Sequence, residues 1–174
     1  MQSPLVTYLH DHLAGSSFAV ELLKSLHDQH PNSLGVFAND MLTDVRKDQA
    51  TLLSIVDRVG EGHFDLYEIG GWIAEKMSRL KLREDGAAIG IGTLEAVETL
   101  ALGVQGKLAL WRSLQTLQPT DLRVSGFDFA ELASSAQEQF KRVEEQRLSL
   151  AAAVLPLPGE VKDVPAMPTA TGAI

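Results

Sequence analysis

This chain has five histidines and no cysteine, which bounds the chemistry open to it. Without a thiol there is no disulfide, thiolate nucleophile, Fe–S cluster or Cys-based zinc site. The histidines are His10, His12, His27, His30 and His63, all in the first 63 of 174 residues. A His with several carboxylates suits Fe or Mn. His12 with Asp48, completed by Glu98, Glu138 or Glu144, is the set whose types and positions fit that chemistry. The other histidine patterns fit it less well. His10 and His12 are two apart, so on a helix they point to nearly opposite sides. His27 and His30 fall at a helix C-terminus, where a His also suits the helix dipole. Lys76, Arg79 and Arg83, with Lys81 nearby, would grip an anion. Glu75, Glu84 and Asp85 surround them, so a salt-bridged, solvated face is expected. Gly90-Ile91-Gly92 lacks the preceding strand and the Lys-Ser/Thr of a phosphate loop. No serine, threonine or tyrosine sits in a recognisable nucleophile motif, so no catalytic residue is assigned.

The elements that must hold these residues read as helices. Aromatic residues are sparse, at 6%, and no proline lies between Pro31 and Pro119. Both features favour long helices over strands. Ser3-Pro4 opens a first helix that runs to about Gln29. A second opens at Asn32/Ser33 and stops at Gly60, a C′ glycine. A shorter third begins at Asp65, with Glu68 as its capping partner, and fades near Gly86. A fourth runs from about Thr93 to Leu117, and a fifth from Asp128, partnered by Glu131, to about Val154.

Apolar periodicity gives the buried faces. The first helix carries Leu5, Leu9, His12, Ser16, Ala19, Leu23 and Leu26 on one stripe. The second carries Leu34, Ala38, Met41, Val45, Asp48, Leu52, Ile55 and Val59. The turn between them is short, so they pack antiparallel and residues at one height share an index sum. Leu26 with Leu34, and Leu5 with Ile55, share a sum of 60, as do His12 and Asp48. The two strongly polar groups on these stripes therefore fall at one level. A buried Asp needs a partner, so a direct or water-bridged His12–Asp48 contact is expected. The fourth helix presents Leu94, Val97, Ala101, Val104, Leu108 and Trp111, with Glu98, Gln105 and Lys107 flanking. Gly103, Gly106 and Ala109 leave room for close helix approach. The fifth presents Phe129, Ala133, Ala136, Phe140, Val143, Arg147, Leu150 and Val154. The middle of each long helix is less apolar than its ends. A polar layer is expected there, of His12, Asp48 and some of Glu98, Gln105, Glu138 and Glu144.

Two long helices, a long connection and two more long helices give an all-α fold in the order of a four-helix bundle with one crossover. Residues 1–154 form that domain. Residues 155–174, with four of the seven prolines, read as a disordered tail. The balance of 15 basic and 23 acidic residues, net −8, argues against sequence-independent nucleic-acid binding. No secretory signal and no 20-residue apolar run is visible, so a cytoplasmic protein without a membrane span is expected.

This order of elements resembles the ferritin-like superfamily over about Pro4 to Val154. The segments YLHDHLAG and EKMSRLKL are similar to a bacterial branch of those proteins. The resemblance implies the bundle with its short crossover helix. Metal-binding members use Glu-x-x-His on two of their helices. No Glu-x-x-His occurs here, and no His follows His63. A full di-iron site of that type is therefore excluded. Two readings remain. One is a non-catalytic binding or structural bundle whose polar layer is structural. The other is a reduced-ligand Fe or Mn protein, of oxidoreductase or metal-storage type, using His12 and interior carboxylates. A homodimer is the partner left open, and no small-molecule ligand is identified.

Overall fold

The computed structural model describes residues 3–30, 32–60, 71, 73–77 and 89–156. Four long helices carry the fold: α1 (Pro4–Gln29), α2 (Ser33–Val59), α3 (Ile91–Leu117) and α4 (Phe129–Val154). A single 3₁₀ turn, Leu122–Val124, lies between α3 and α4. There is no strand among the described residues. Each helix has 26 or 27 residues, which is about 40 Å at 1.5 Å per residue.

The helix ends follow the local chemistry. Pro4 occupies the first turn of α1, where its missing amide costs nothing. Ser3 takes the extended backbone of an N-cap, but its side chain makes no capping bond. α2 closes at Gly60, whose φ of 72° is left-handed and whose N–H bonds the Val56 carbonyl. Asp128 caps α4, its side chain accepting from the Glu131 N–H at 3.0 Å. α3 starts at Ile91, two residues before the expected Thr93, because Gly90 supplies an extended cap. Of the expected crossover helix, Gly71 and residues 73–77 are helical. Its start at Asp65, its end, Trp72, Arg79, Lys81 and Arg83 lie outside the described residues. So does the tail beyond Pro156.

Hydrogen bonds fix the direction of each helix. Tyr8, near the start of α1, donates to Ser113 near the end of α3. His30, just past α1, meets Thr93 at the start of α3. α1 and α3 are thus antiparallel. α2 is antiparallel to α1, since Gln49 donates to Ser16 and Ser17 while His27 meets the Gly35 carbonyl. α4 is antiparallel to both α2 and α3, through Asp44–Arg142 and Glu98–Arg147. α2 and α3 consequently run the same way. The stretch between them must carry the chain from one end of the helices back to the other.

Two apolar cores fill the space between the helices. One, toward the end where α1 meets α2, includes Leu23, Leu26, Met41, Val45, Leu100, Val104 and Val143. The other includes Leu9, Leu13, Ile55, Trp111, Leu114 and Phe129. All eight expected stripe residues of α2 are buried, as are the six expected for α3. α1 differs. Its buried residues are Val6, Leu9, Leu13, Val20, Leu22, Leu23 and Leu26. Leu5, His12, Ser16 and Ala19 are half-buried at the edge of that face. The expected and observed faces share Leu9, Leu23 and Leu26, and the buried face is turned about the helix to take in Val6, Leu13, Val20 and Leu22.

Candidate functional site: a polar layer at mid-height

The two cores are separated by a break that occurs in all four helices. On α1 the buried residues stop at Leu13 and resume at Val20. On α2 they leave Asp48 between Val45 and Leu52. On α3 Lys107 stands between Val104 and Leu108, and on α4 Gln139 stands between Ala136 and Val143. Asp48 and Gln139 are 5% and 2% exposed, among the most buried polar side chains described.

These groups satisfy one another. The Lys107 ammonium donates to Asp48 Oδ2 at 2.5 Å and also to Gln139 Oε1. Gln139 Nε2 donates to the same Asp48 oxygen at 3.0 Å and to Ser135 Oγ at 3.3 Å. Three helices are therefore joined through one carboxylate. The fourth is tied in beside it, where Gln49, next to Asp48, donates to Ser16 and Ser17 at 3.0 and 3.1 Å. Burial pushes the Lys107 ammonium below its usual range, against the pull of Asp48. The pair still carries the geometry of a charge-assisted hydrogen bond. Farther out, Arg142 meets Asp44 on the same α2–α4 seam.

The expected direct His12–Asp48 contact does not form: Asp48 is bonded to Lys107 and Gln139 instead. The register explains this. His27 with Gly35 has an index sum of 62, and Ser16 and Ser17 with Gln49 have sums of 65 and 66, not 60. At mid-height that is an offset of about five residues, or about 7 Å along the axis. His12 also stands at the edge of the buried face. Its ring packs edge-on against Tyr8, with centroids 4.6 Å apart. Burial lowers its pKa below the ordinary 6.5, opposed by the nearby Asp11.

His12 and Asp48 do line one small cleft between α1 and α3, of about 100 Å³. Lys107 and Ser16 line it too, and Gly15 and Gly103 stand on its two lips. The remaining sequence candidates lie elsewhere. Glu144 is held by Arg147 at 2.6 Å, and Glu98 reaches the same guanidinium at 3.4 Å. That ion pair holds the Glu144 carboxyl below its usual range. The three side chains line an open groove on the outer α3–α4 face, away from the cleft. Glu138 is exposed, one residue from Gln139 and turned to solvent. Among the described residues no three His, Asp or Glu side chains converge as metal ligands would.

The histidines near the α1–α2 turn are engaged in packing. His27 Nδ1 lies 3.1 Å from the Gly35 carbonyl oxygen, and buried His30 lies 3.2 Å from Thr93 Oγ1. Gly35 belongs to this joint, because a Cβ there would overlap the His30 carbonyl oxygen. The close approach expected at Gly103 and Gly106 is absent, since a Cβ on either meets nothing within 4 Å. Trp111 is a core residue as expected, 1% exposed and stacked on Phe129. Its indole N–H is buried without a hydrogen-bond partner.

Comparison with protein-family models, curated proteins and solved structures gives no match. Among the described residues, no helix is long and apolar enough to cross a membrane.

Proposed function

We propose that this chain is a non-catalytic structural or binding protein, a four-helix bundle of the ferritin-like type. In it the polar layer sets helix register rather than holding a metal. The single observation that carries this reading is the Lys107 ammonium on Asp48 Oδ2, with Gln139 closing the set. A lysine ammonium and a divalent cation compete for the same carboxylate lone pairs. Asp48 is the most buried carboxylate described and already has its cation. The like direction of α2 and α3 supports the ferritin-like order of helices.

The reading with Fe or Mn draws on the cleft that His12 and Asp48 share. It requires Lys107 to leave Asp48 and a third ligand to enter. Reconstitution separates the two. Purified full-length protein is incubated with Fe(II) or Mn(II), dialysed and assayed for metal. The structural reading expects no stoichiometric metal to remain. One equivalent retained, and lost in both His12→Ala and Asp48→Asn, would overturn it.

A further inference from the structure

The small cleft between α1 and α3 is bordered by two helix positions that carry no side chain. α1 and α3 have index sums of 121 at Tyr8–Ser113 and 123 at His30–Thr93. With the sum of 122 between them, Gly15 stands at the height of Lys107, and Asp11 at that of Trp111. Gly103 lies one turn before Lys107 on the same face of α3. A glycine inside a helix weakens it relative to alanine. No packing within the chain requires one at either place, since a Cβ on Gly15 or Gly103 meets nothing within 4 Å. The opening runs inward to the polar layer, where Asp48, Lys107 and Trp111 line it. The lining holds hydrogen-bonding groups that the protein leaves unused. Trp111 is 1% exposed, and its indole N–H is buried without a partner. The described hydrogen bonds of Asp48 all go to Oδ2, and those of Gln49 are all made by Nε2. Asp48 Oδ1 and Gln49 Oε1 are not among the described polar atoms buried without a partner, so both are open acceptors.

We propose that this cleft binds a small primary amide, its carbonyl oxygen accepting from Trp111 Nε1 and its NH2 donating to Asp48 Oδ1. Size follows from the volume. A cavity of about 150 Å³ holds the six carbons of benzene, so one of about 100 Å³ takes about four non-hydrogen atoms. Charge follows from the lining. Lys107 is already neutralised by Asp48, and Asp11 adds a second carboxylate to the cleft. An anion of this size meets two carboxylates for one ammonium. A cation has no acceptor for the Trp111 N–H and competes with Lys107 for Asp48. An amide offers a donor and an acceptor without burying a charge. The site presupposes the reading that Lys107, rather than a metal, holds Asp48. Retained metal would overturn that reading, whereas a metal-free protein that binds no amide would overturn the site alone.

NMR of the isotope-labelled full chain tests the site with acetamide, acetate and acetamidinium, which share a shape and differ in charge. Four atoms bind no tighter than about 40 μM, so each titration runs to roughly 50 mM. The two tryptophans, Trp72 and Trp111, give two indole N–H signals, assigned with Trp72→Phe. Acetamide should move the Trp111 signal saturably, with a Kd at least roughly ten-fold below those of the two ions. Gly15→Leu places a side chain opposite Lys107 and should weaken acetamide binding at least roughly ten-fold, since it takes up space for about four atoms. Leucine raises helix propensity, and far-UV circular dichroism checks that the variant is folded. If it is not, Gly103→Leu on the other lip takes its place with the same expected loss. An unmoved Trp111 signal at the highest acetamide concentration would overturn the site. So would acetate or acetamidinium binding as tightly, or a folded leucine variant that binds acetamide like the wild type.

Discussion

Asp48, Lys107 and Gln139 differ in how visible they are from the chain. Asp48 interrupts an otherwise unbroken apolar stripe, and its position alone marks it as buried and in need of a partner. Lys107 sits beside Leu108 at the flank of its stripe, and only its long stem brings the ammonium inward. Gln139 stands at core spacing, three residues after Ala136 and four before Val143, but the expected α4 stripe steps through Phe140 instead. A carboxylate's need for a partner is thus legible, but the partner's identity depends on side-chain reach. His12 illustrates the reverse case. It occupied a plausible stripe position, yet it is half-buried and edge-on to Tyr8. With its pKa lowered by burial, the folded state binds fewer protons there than the unfolded chain. Stability from His12 is therefore complete above pH 6.5 and declines as pH falls from there through the lowered folded pKa. An NMR titration should give His12 a midpoint below 6.5. His12→Gln should flatten the stability slope between that midpoint and pH 6.5. A His12 midpoint at or above 6.5 would show that burial does not govern it.

At the scale of the helices, the ends were the most legible feature. Ser3-Pro4, Gly60 and Asp128 each carry a local physical signal, and each falls at the observed boundary. Faces were legible where one stripe dominated, as in α2 and α3. In α1 the expected stripe was turned from the buried face, sharing with it only Leu9, Leu23 and Leu26. Glycine roles inside the helices were less legible than the cap at Gly60. Close approach was expected at Gly103 and Gly106 but occurs at Gly35, because it depends on the path of a neighbouring chain segment. Two substitutions make the contrast measurable. Gly35→Ala should destabilise the protein by about 2–3 kcal/mol, since it forces the His30 carbonyl to move. Gly103→Ala should stabilise it by about 0.5–1 kcal/mol, since it gains helix propensity and meets open space. Urea denaturation followed at 222 nm reads both. Equal shifts in the same direction would show that the joint at Gly35 is not tight.

At the scale of the whole molecule, two apolar cores meet at one polar layer. An unbroken apolar seam would permit each helix to slide by a turn with little loss. A buried carboxylate that must meet one ammonium and one amide permits a single register. The existence of that layer was legible, because every long helix is less apolar at its middle. Its membership was not, because the α1–α2 register is displaced from the one a short turn suggested. The net charge of −8 also takes a different weight. Asp48 is neutralised inside the protein by Lys107, whereas Glu138 and Glu145 remain on the surface. The most direct test of the layer is a double-mutant cycle on Asp48 and Lys107, read by urea unfolding. Lys107→Met should cost about 3 kcal/mol, because it leaves a buried carboxylate without its cation. Asp48→Leu with Lys107→Met should fall within about 1 kcal/mol of wild type, because the unpaired charge is gone. Strong coupling between the two positions is the predicted result. Additive costs, with the double variant as destabilised as the sum of the singles, would contradict the account.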